Sequence, residues 1–180
     1  SQLTVFQRTP NYVIPAQNRP LGIDELKKVK ANYSSLRKEA KKTFGGFNFH
    51  LNENSATEMT PEERNLEYEK RWRAGGLAFM GSFSDLTFDI KANKTAQEFV
   101  RRKIKEIVKD PELSNLLSPH DILGCKRLCL DSGYFQTFNK PHVNLVDISS
   151  NPITSITHDG LLVNKREYEI DALVMATGFD

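Results

Sequence analysis

Leu3-Thr4-Val5-Phe6-Gln7-Arg8-Thr9-Pro10 reads as a short strand that ends in a cation. Thr, Val and Phe favour the extended chain, and Pro10 lacks the N–H needed to continue a ladder, so it sets the boundary. Residues 11–20, NYVIPAQNRP, read as an irregular, proline-bearing connection, not as a hairpin partner. Strand periodicity returns only at VNLVDI, Val143 to Ile148. Between the two lies a helix-patterned block of roughly 90 residues, since a structureless connection of that length is uncommon in a compact domain. The pattern predicts one α/β sheet domain interrupted by a helical insertion. Its expected parts are residues 1–23 as the first portion of the sheet domain, 24–118 as the insertion, and 119–180 as the return segment.

Within the insertion, Asp24 is the expected cap of a helix from Glu25 to about Lys42, with Leu26, Val29, Tyr33, Leu36 and Ala40 on one stripe. Gly45 and Gly46 stop it. Thr60-Pro61-Glu62-Glu63 is a capping box with proline at the first helical position, so a second helix runs to about Arg73, before Gly75 and Gly76. A third, from about Lys94 to Lys109, turns Ala96, Phe99, Val100, Ile104, Ile107 and Val108 inward and ends before Asp110-Pro111. Glu112 to Leu117 adds a turn, and Trp72 is expected to pack the insertion onto the sheet domain. Beyond Val143, ITSIT and LLVN flank Asp159-Gly160, a tight-hairpin signal. The apolar run IDALVMA, Ile170 to Ala176, reads as a buried parallel strand. Both ends of the chain read as cut inside an element, which points to an internal portion of a longer polypeptide.

The 180 residues carry a formal net charge of +2, with 38% hydrophobic and 27% charged content, ordinary for a soluble globular domain. No unopposed basic run marks a nucleic-acid partner, because the Lys and Arg of the middle region alternate with acids. No apolar run approaches the roughly 20 residues that cross a bilayer. Cys125 and Cys129 are the only cysteines; no disulfide framework or zinc pattern follows from them, no metal is expected, and the compartment reads as reducing and cytoplasmic.

Three stretches can carry chemistry. In a dinucleotide fold, an arginine where the second strand ends can hold the 2'-phosphate of NADP, so Arg8, with the Thr9 hydroxyl beside it, is a candidate; a strand-end arginine can equally be solvated. GCKRLCLDSGY, Gly124 to Tyr134, sets Lys126 and Arg127 among Cys and Leu with no acid following until Asp131. A buried cation is costly without a compensating anion, so either an anionic ligand is missing, or one side chain faces solvent and the other pairs with Asp131 or a distant Glu. In ATGFD, Gly178 permits a close backbone approach, against a cofactor or merely at a bend. Ser132 and His142 lack the GxSxG elbow of a hydrolase.

Taken together, FQRTPNYVIP, YEKRW with its following glycine pair, GCKRLCLDSGYF, KPHVNLVDIS and DALVMATGFD resemble the class B flavoprotein monooxygenases of the Baeyer-Villiger type, in order and over essentially the whole chain. The resemblance implies a Rossmann-like NADP-binding portion, with its insertion, of a flavoprotein with two dinucleotide-binding domains, the FAD domain lying elsewhere in the same polypeptide. It implies FAD and NADPH as cofactors, and oxidation of a ketone by molecular oxygen to an ester or lactone through a C4a-peroxyflavin. By motif, Arg8 would contact the 2'-phosphate, with Thr9 beside it, and Lys126 would lie by the nicotinamide nucleotide. Arg127 would be the active-site arginine beside the flavin. Asp131 would orient the loop carrying Arg127, and Gly178, Phe179 and Asp180 would form part of the cofactor-side wall. Phe135 departs from the tyrosine that relatives often carry after SGY. Neither glycine fingerprint nor the family's histidine-containing linker lies within the chain, so the fragment alone is expected to be inactive. The alternatives are a related flavin monooxygenase that oxygenates N or S, and a non-catalytic NADP-binding module.

Overall fold

A computed structural model describes residues 1–43, 45–48 and 50–176. Strand β1 (Leu3–Gln7) runs parallel to β4 (Val143–Asp147), with Leu3 opposite Val143 and Gln7 opposite Asp147. Inside that pair a second one is nested: β2 (Val13–Pro15) runs parallel to β3 (Cys129–Asp131). Parallel partners cannot be joined by a tight turn, so both pairs need a long crossover, and the helices between β2 and β3 supply it. The expectation of an irregular connection over residues 11–20 is thus corrected in part. Tyr12, Val13 and Ile14 are buried, and only a partner far along the chain makes them a strand.

The insertion's core is aromatic. Helix α3 (Pro61–Ala74) starts at the expected capping box: the Thr60 side chain accepts from the Glu63 N–H, and the Glu63 carboxylate accepts from the Thr60 N–H. It buries Tyr68 and Trp72 against α4 (Ile90–Ile107), which contributes Phe99, Val100 and Ile104. Tyr68 meets Phe79, Phe83 and Phe99 at centroid distances of 5.7, 5.3 and 5.3 Å, and Trp72 meets Phe79 and Phe99 edge-on at 6.2 and 5.9 Å. Such pairs contribute about 1 kcal/mol each beyond the area they bury. Burial pushes the Tyr68 hydroxyl up to about 12, so it stays a neutral partner of Thr95 Oγ1 at 2.7 Å. Gly75 ends α3 at φ 74°, and a Cβ there would come within 2.6 Å of the Pro15 carbonyl oxygen. Glycine therefore lets the insertion touch β2. A 3-10 helix (Gly76–Gly81) and the short helix α5 (Pro111–Leu116) complete the block.

The first predicted helix differs from expectation. It is two helices, α1 (Ile23–Ala31) and α2 (Tyr33–Ala40), and its N-cap is Gly22, not Asp24. Asn32 breaks it: its side-chain amide donates to the Lys28 carbonyl at 3.0 Å, competing for the acceptor the helix ladder uses. Neither helix buries a residue, and Leu26, Val29 and Tyr33 of the predicted stripe are exposed.

After β4 come β5 (Ile153–Ile156), β6 (Gly160–Val163) and β7 (Arg166–Glu169), an antiparallel meander. The Asp159-Gly160 hairpin forms as expected, closed by the Thr157 N–H on the Gly160 carbonyl at 2.9 Å. A second turn, not foreseen, places Asn164 and Lys165 at φ 48° and 65°, the left-handed geometry of a two-residue hairpin turn. Phe6 and Tyr168 meet edge-on at 5.2 Å and join the meander to β1. The run Ile170 to Ala176 is not the expected buried strand: Val174 and Met175 are exposed. A strand exists only through a ladder to its neighbours, and past the Ile170 N–H, which bonds the Asp159 carbonyl at 3.0 Å, none to a described residue runs along this segment.

One carboxylate ties the loop before α3 to the loop before α4. Asp85 accepts from Ser55 Oγ at 2.6 Å, the Ala56 N–H at 2.8 Å and the Thr57 N–H at 3.3 Å. Burial opposes its ionisation, but these donors outweigh burial and hold it below the usual carboxylate range. Its contribution is complete above the unfolded-state pKa of about 3.9 and is lost as pH falls through the lower folded-state value. Asp85→Ala is expected to cost about 2 kcal/mol in urea unfolding at pH 7, and less under acid conditions where the wild-type carboxylate is itself protonated.

Candidate functional site

The site is built where two loops meet. Arg8 and Thr9 follow the last residue of β1, and both are exposed. Lys126 and Arg127 precede β3 and are also exposed. Asn11 joins the two loops: its amide donates to the Arg127 carbonyl at 2.9 Å, across 116 residues of sequence, and lies 3.5 Å from Cys129 Sγ. The Cys129 N–H bonds the Tyr12 carbonyl at 3.2 Å and continues the seam. Tyr12 in turn reaches beneath the cation loop, its hydroxyl donating to the Asp121 carbonyl at 2.8 Å and lying 3.3 Å from that of Pro119. Burial pushes that hydroxyl above the usual tyrosine range, so it remains a donor at neutral pH.

The apolar setting expected for Lys126 and Arg127 is corrected. Leu128 is buried, but Cys125, Cys129 and Leu130 are exposed with the two cations, because residues 124–130 approach and enter β3 along the surface. The expected pairing with Asp131 is corrected too. Lys126 Nζ lies 2.5 Å from Asp121 Oδ2, on the N-terminal side of the motif. Asp131 closes β3 at its other end. It stands four positions on from Arg127, about 13 Å away along an extended chain at ordinary strand rise. Its carboxylate accepts from the Tyr134 N–H at the head of α6 (Tyr134–Thr137), and its carbonyl from the Ala16 N–H at 2.7 Å. There it borders a separate groove of about 530 Å3, with Val13, Trp72 and Phe135 among the apolar lining and Asn18, Ser132 and Gln136 among the polar. Trp72 thus stands between the insertion and the sheet domain, as expected.

Arg8 and Arg127 have no carboxylate or hydrogen-bond partner for their guanidinium groups among the described residues. Lys126 has a solvent-exposed one. Planar cations left open on two clasped loops suit a phosphate-bearing anion, which accepts bidentate hydrogen bonds from a guanidinium. The residues present therefore fit a dinucleotide phosphate. Gly178, Phe179 and Asp180 lie outside the described residues. Sequence reasoning missed Asn11 and Tyr12, since a loop amide and a tyrosine leave no periodic signal; the adjacency of Asn11 to the QRTP turn is the only hint. Cys125 and Cys129 are free thiols. The Lys126–Asp121 pair is solvent-exposed, so Asp121→Asn is expected to change stability by less than about 1 kcal/mol in urea titration.

No protein-family model matches the chain. It is 41% identical to a cyclohexanone 1,2-monooxygenase of Acinetobacter sp., over 99% of this chain and 33% of that protein. It is 36% identical to the phenazine N-monooxygenase PhzNO1 of Lysobacter antibioticus, again over 99% of this chain and 33% of the relative. Among solved structures, an oxidized steroid monooxygenase bound to NADP superposes with a TM-score of 0.94 at 42% identity, covering 99% of this chain and 34% of that one. The chain thus spans about a third of the length of the curated relatives it matches. Its fold is α/β, Rossmann-like with a helical insertion, as in these flavoproteins with two dinucleotide-binding domains. By sequence and by fold alike, the chain belongs to the class B flavoprotein monooxygenases of the Baeyer-Villiger type.

Proposed function

We propose that this chain is the NADP-side portion of an NADPH- and FAD-dependent monooxygenase that converts a ketone and molecular oxygen to an ester or lactone. The carrying observation is the Asn11 clasp, which holds the QRTP turn against the carbonyl of Arg127 and so keeps three exposed cations on neighbouring loops. When bound, the nicotinamide would supply a hydride and the flavin the activated oxygen. Arg8 binds the 2'-phosphate, with the Thr9 hydroxyl as a second donor. Lys126 lies by the nicotinamide nucleotide and exchanges part of its attraction to Asp121 for the cofactor's negative charge. Arg127 would offer its guanidinium to the negative charge that develops on oxygen during ester formation. A preorganised cation of this kind acts most strongly where water is excluded. Asp131 steadies the turn after β3, and Gly178, Phe179 and Asp180 line the cofactor side. The division into residues 1–23, 24–118 and 119–180 is part of the proposal, with the FAD domain in the same polypeptide. So is a reducing cytoplasmic compartment, in which both thiols stay free.

Similarity to a phenazine N-monooxygenase favours one second reading, oxygen transfer to nitrogen. The two separate on the product. Full-length protein given NADPH, oxygen, and a panel of cyclic ketones, aryl ketones and aromatic amines is expected to yield an ester or lactone one oxygen heavier than the ketone. N-oxides alone would establish the second reading. Arg127→Ala is expected to retain flavin reduction by NADPH and to lower ester formation by roughly 100-fold or more, the scale of losing one preorganised electrostatic contact. Normal ester yield from that variant would remove Arg127 from the mechanism.

A further inference from the structure

We propose that Asn93, in the insertion, is a positioning residue for the Lys126–Arg127 loop, so that helix α4 sets how the two cations are presented to an anionic cofactor. The inference rests on the function proposed above for those cations.

Residues 118–128 form neither helix nor strand, so their backbone polar groups have no ladder and must be satisfied by other means. One face of α4 satisfies three of them, the Leu123 N–H, the Leu123 carbonyl and the Pro119 carbonyl. Asn93, 3% exposed, brackets the Leu123 backbone: its Nδ2 donates to the Leu123 carbonyl at 2.9 Å, and its Oδ1 accepts from the Leu123 N–H at 3.0 Å. The same Nδ2 donates to the Leu86 carbonyl at 2.8 Å, and the same Oδ1 accepts from Gln97 Nε2 at 2.8 Å. Both donors and both acceptor positions of the amide are used, which fixes its orientation. The ladder continues one helical turn at a time. Gln97 Oε1 accepts from Arg101 Nη1 at 3.3 Å, and the same Nη1 donates to the Pro119 carbonyl at 3.0 Å.

Three residues at i, i+4 and i+8 of one helix thus grip the loop at Pro119 and Leu123. What lies just beyond the grip gives it functional meaning. Gly124 follows at φ 94°, the Cys125 N–H closes a turn on the Ile122 carbonyl at 3.1 Å, and the cations come next. Asp121, the partner of Lys126, sits between the two gripped points. An apolar side chain at position 93 would strand the buried N–H and C=O of Leu123. The loop would then regain their hydrogen bonds only by moving, and the cations would move with it. A helix core position is thereby given to a polar residue whose every bond serves a loop or the next rung of the ladder.

The test uses the full-length protein. In Asn93→Ala, amide hydrogen exchange across residues 121–127 is expected to accelerate, and the KM for NADPH to rise roughly ten-fold, the scale of a small displacement of a binding group. Ile104→Ala, a packing variant on the same helix that makes none of these bonds, should lower Tm at least as much while leaving loop exchange and the NADPH KM unchanged. If Asn93→Ala does not fold, Asn93→Asp gives the same readouts, since it keeps the acceptor for Leu123 and loses the donors. Wild-type exchange at 121–127 in the Asn93 variant would overturn the proposal. So would faster exchange with an unchanged NADPH KM, or an equal KM increase in Ile104→Ala. Failure of the underlying reading looks different: Lys126→Ala and Arg127→Ala would leave KM and product untouched, whereas exchange would still report whether Asn93 holds the loop.

Discussion

Everything at the candidate site depends on the parallel pairing of β2 with β3. The pair is short, three residues on each side, yet it is the constraint that carries the chain across the insertion and returns it to the QRTP turn. Parallel strands of that length are poorly held by their own hydrogen bonds. The pair persists because Val13 and Ile14 of β2 and the adjoining Tyr12 are buried and because Gly75 lets α3 approach the Pro15 carbonyl. With the seam in place, Asn11 reaches Arg127 and Tyr12 reaches Asp121. Without it, Arg8 and Arg127 would be two unrelated surface arginines.

The insertion is accordingly more than bulk between strands. Its aromatic core makes α3 and α4 a rigid support, and side-chain amides transmit that rigidity to segments that have no ladder of their own. Asn93 holds the cation loop. Asn139 clasps the end of α4, accepting from the Lys109 N–H at 2.9 Å and donating to the Ile107 carbonyl at 2.8 Å. Gln7 ties β1 to the end of α5 by donating to the Leu116 carbonyl at 2.9 Å. Primary amides suit this use because each offers donors and an acceptor within one planar group, and can bracket a peptide unit that a hydroxyl could only touch.

The elements read well from sequence were those whose signals are local. The Thr60 to Glu63 capping box, the Asp-Pro boundary before α5 and the Asp159-Gly160 turn each rest on contacts within a few residues, and each formed where expected; the inward stripe of α4 formed too, on a helix that Asp89 caps and that begins at Ile90, four residues before the expected Lys94. The misreadings have one cause. Residues 13–15 became a strand and 170–176 did not, because strand formation depends on a partner that the local pattern cannot name. The α1–α2 stripe was apolar in sequence but faces no core among the described residues, and Asn32 divides it through a side-chain bond that periodicity does not see. The same holds for charge. Asp121 and Asp131 stand equally far from Lys126 along the chain, and the direction of the loop alone selected Asp121.

What the sequence determined by itself was composition of function: a strand-end arginine, an adjacent Lys-Arg pair, and motifs whose order matches one family of flavoproteins. Those are properties of residue type and spacing. Tertiary structure decided that the two cationic loops are neighbours, that Asp131 belongs to another groove, and that a buried asparagine on the insertion grips the loop carrying Lys126 and Arg127. The physical reason is that the loop contacts rest on hydrogen bonds between groups 116 and 30 residues apart, and such bonds exist only after the chain has closed its long parallel crossovers.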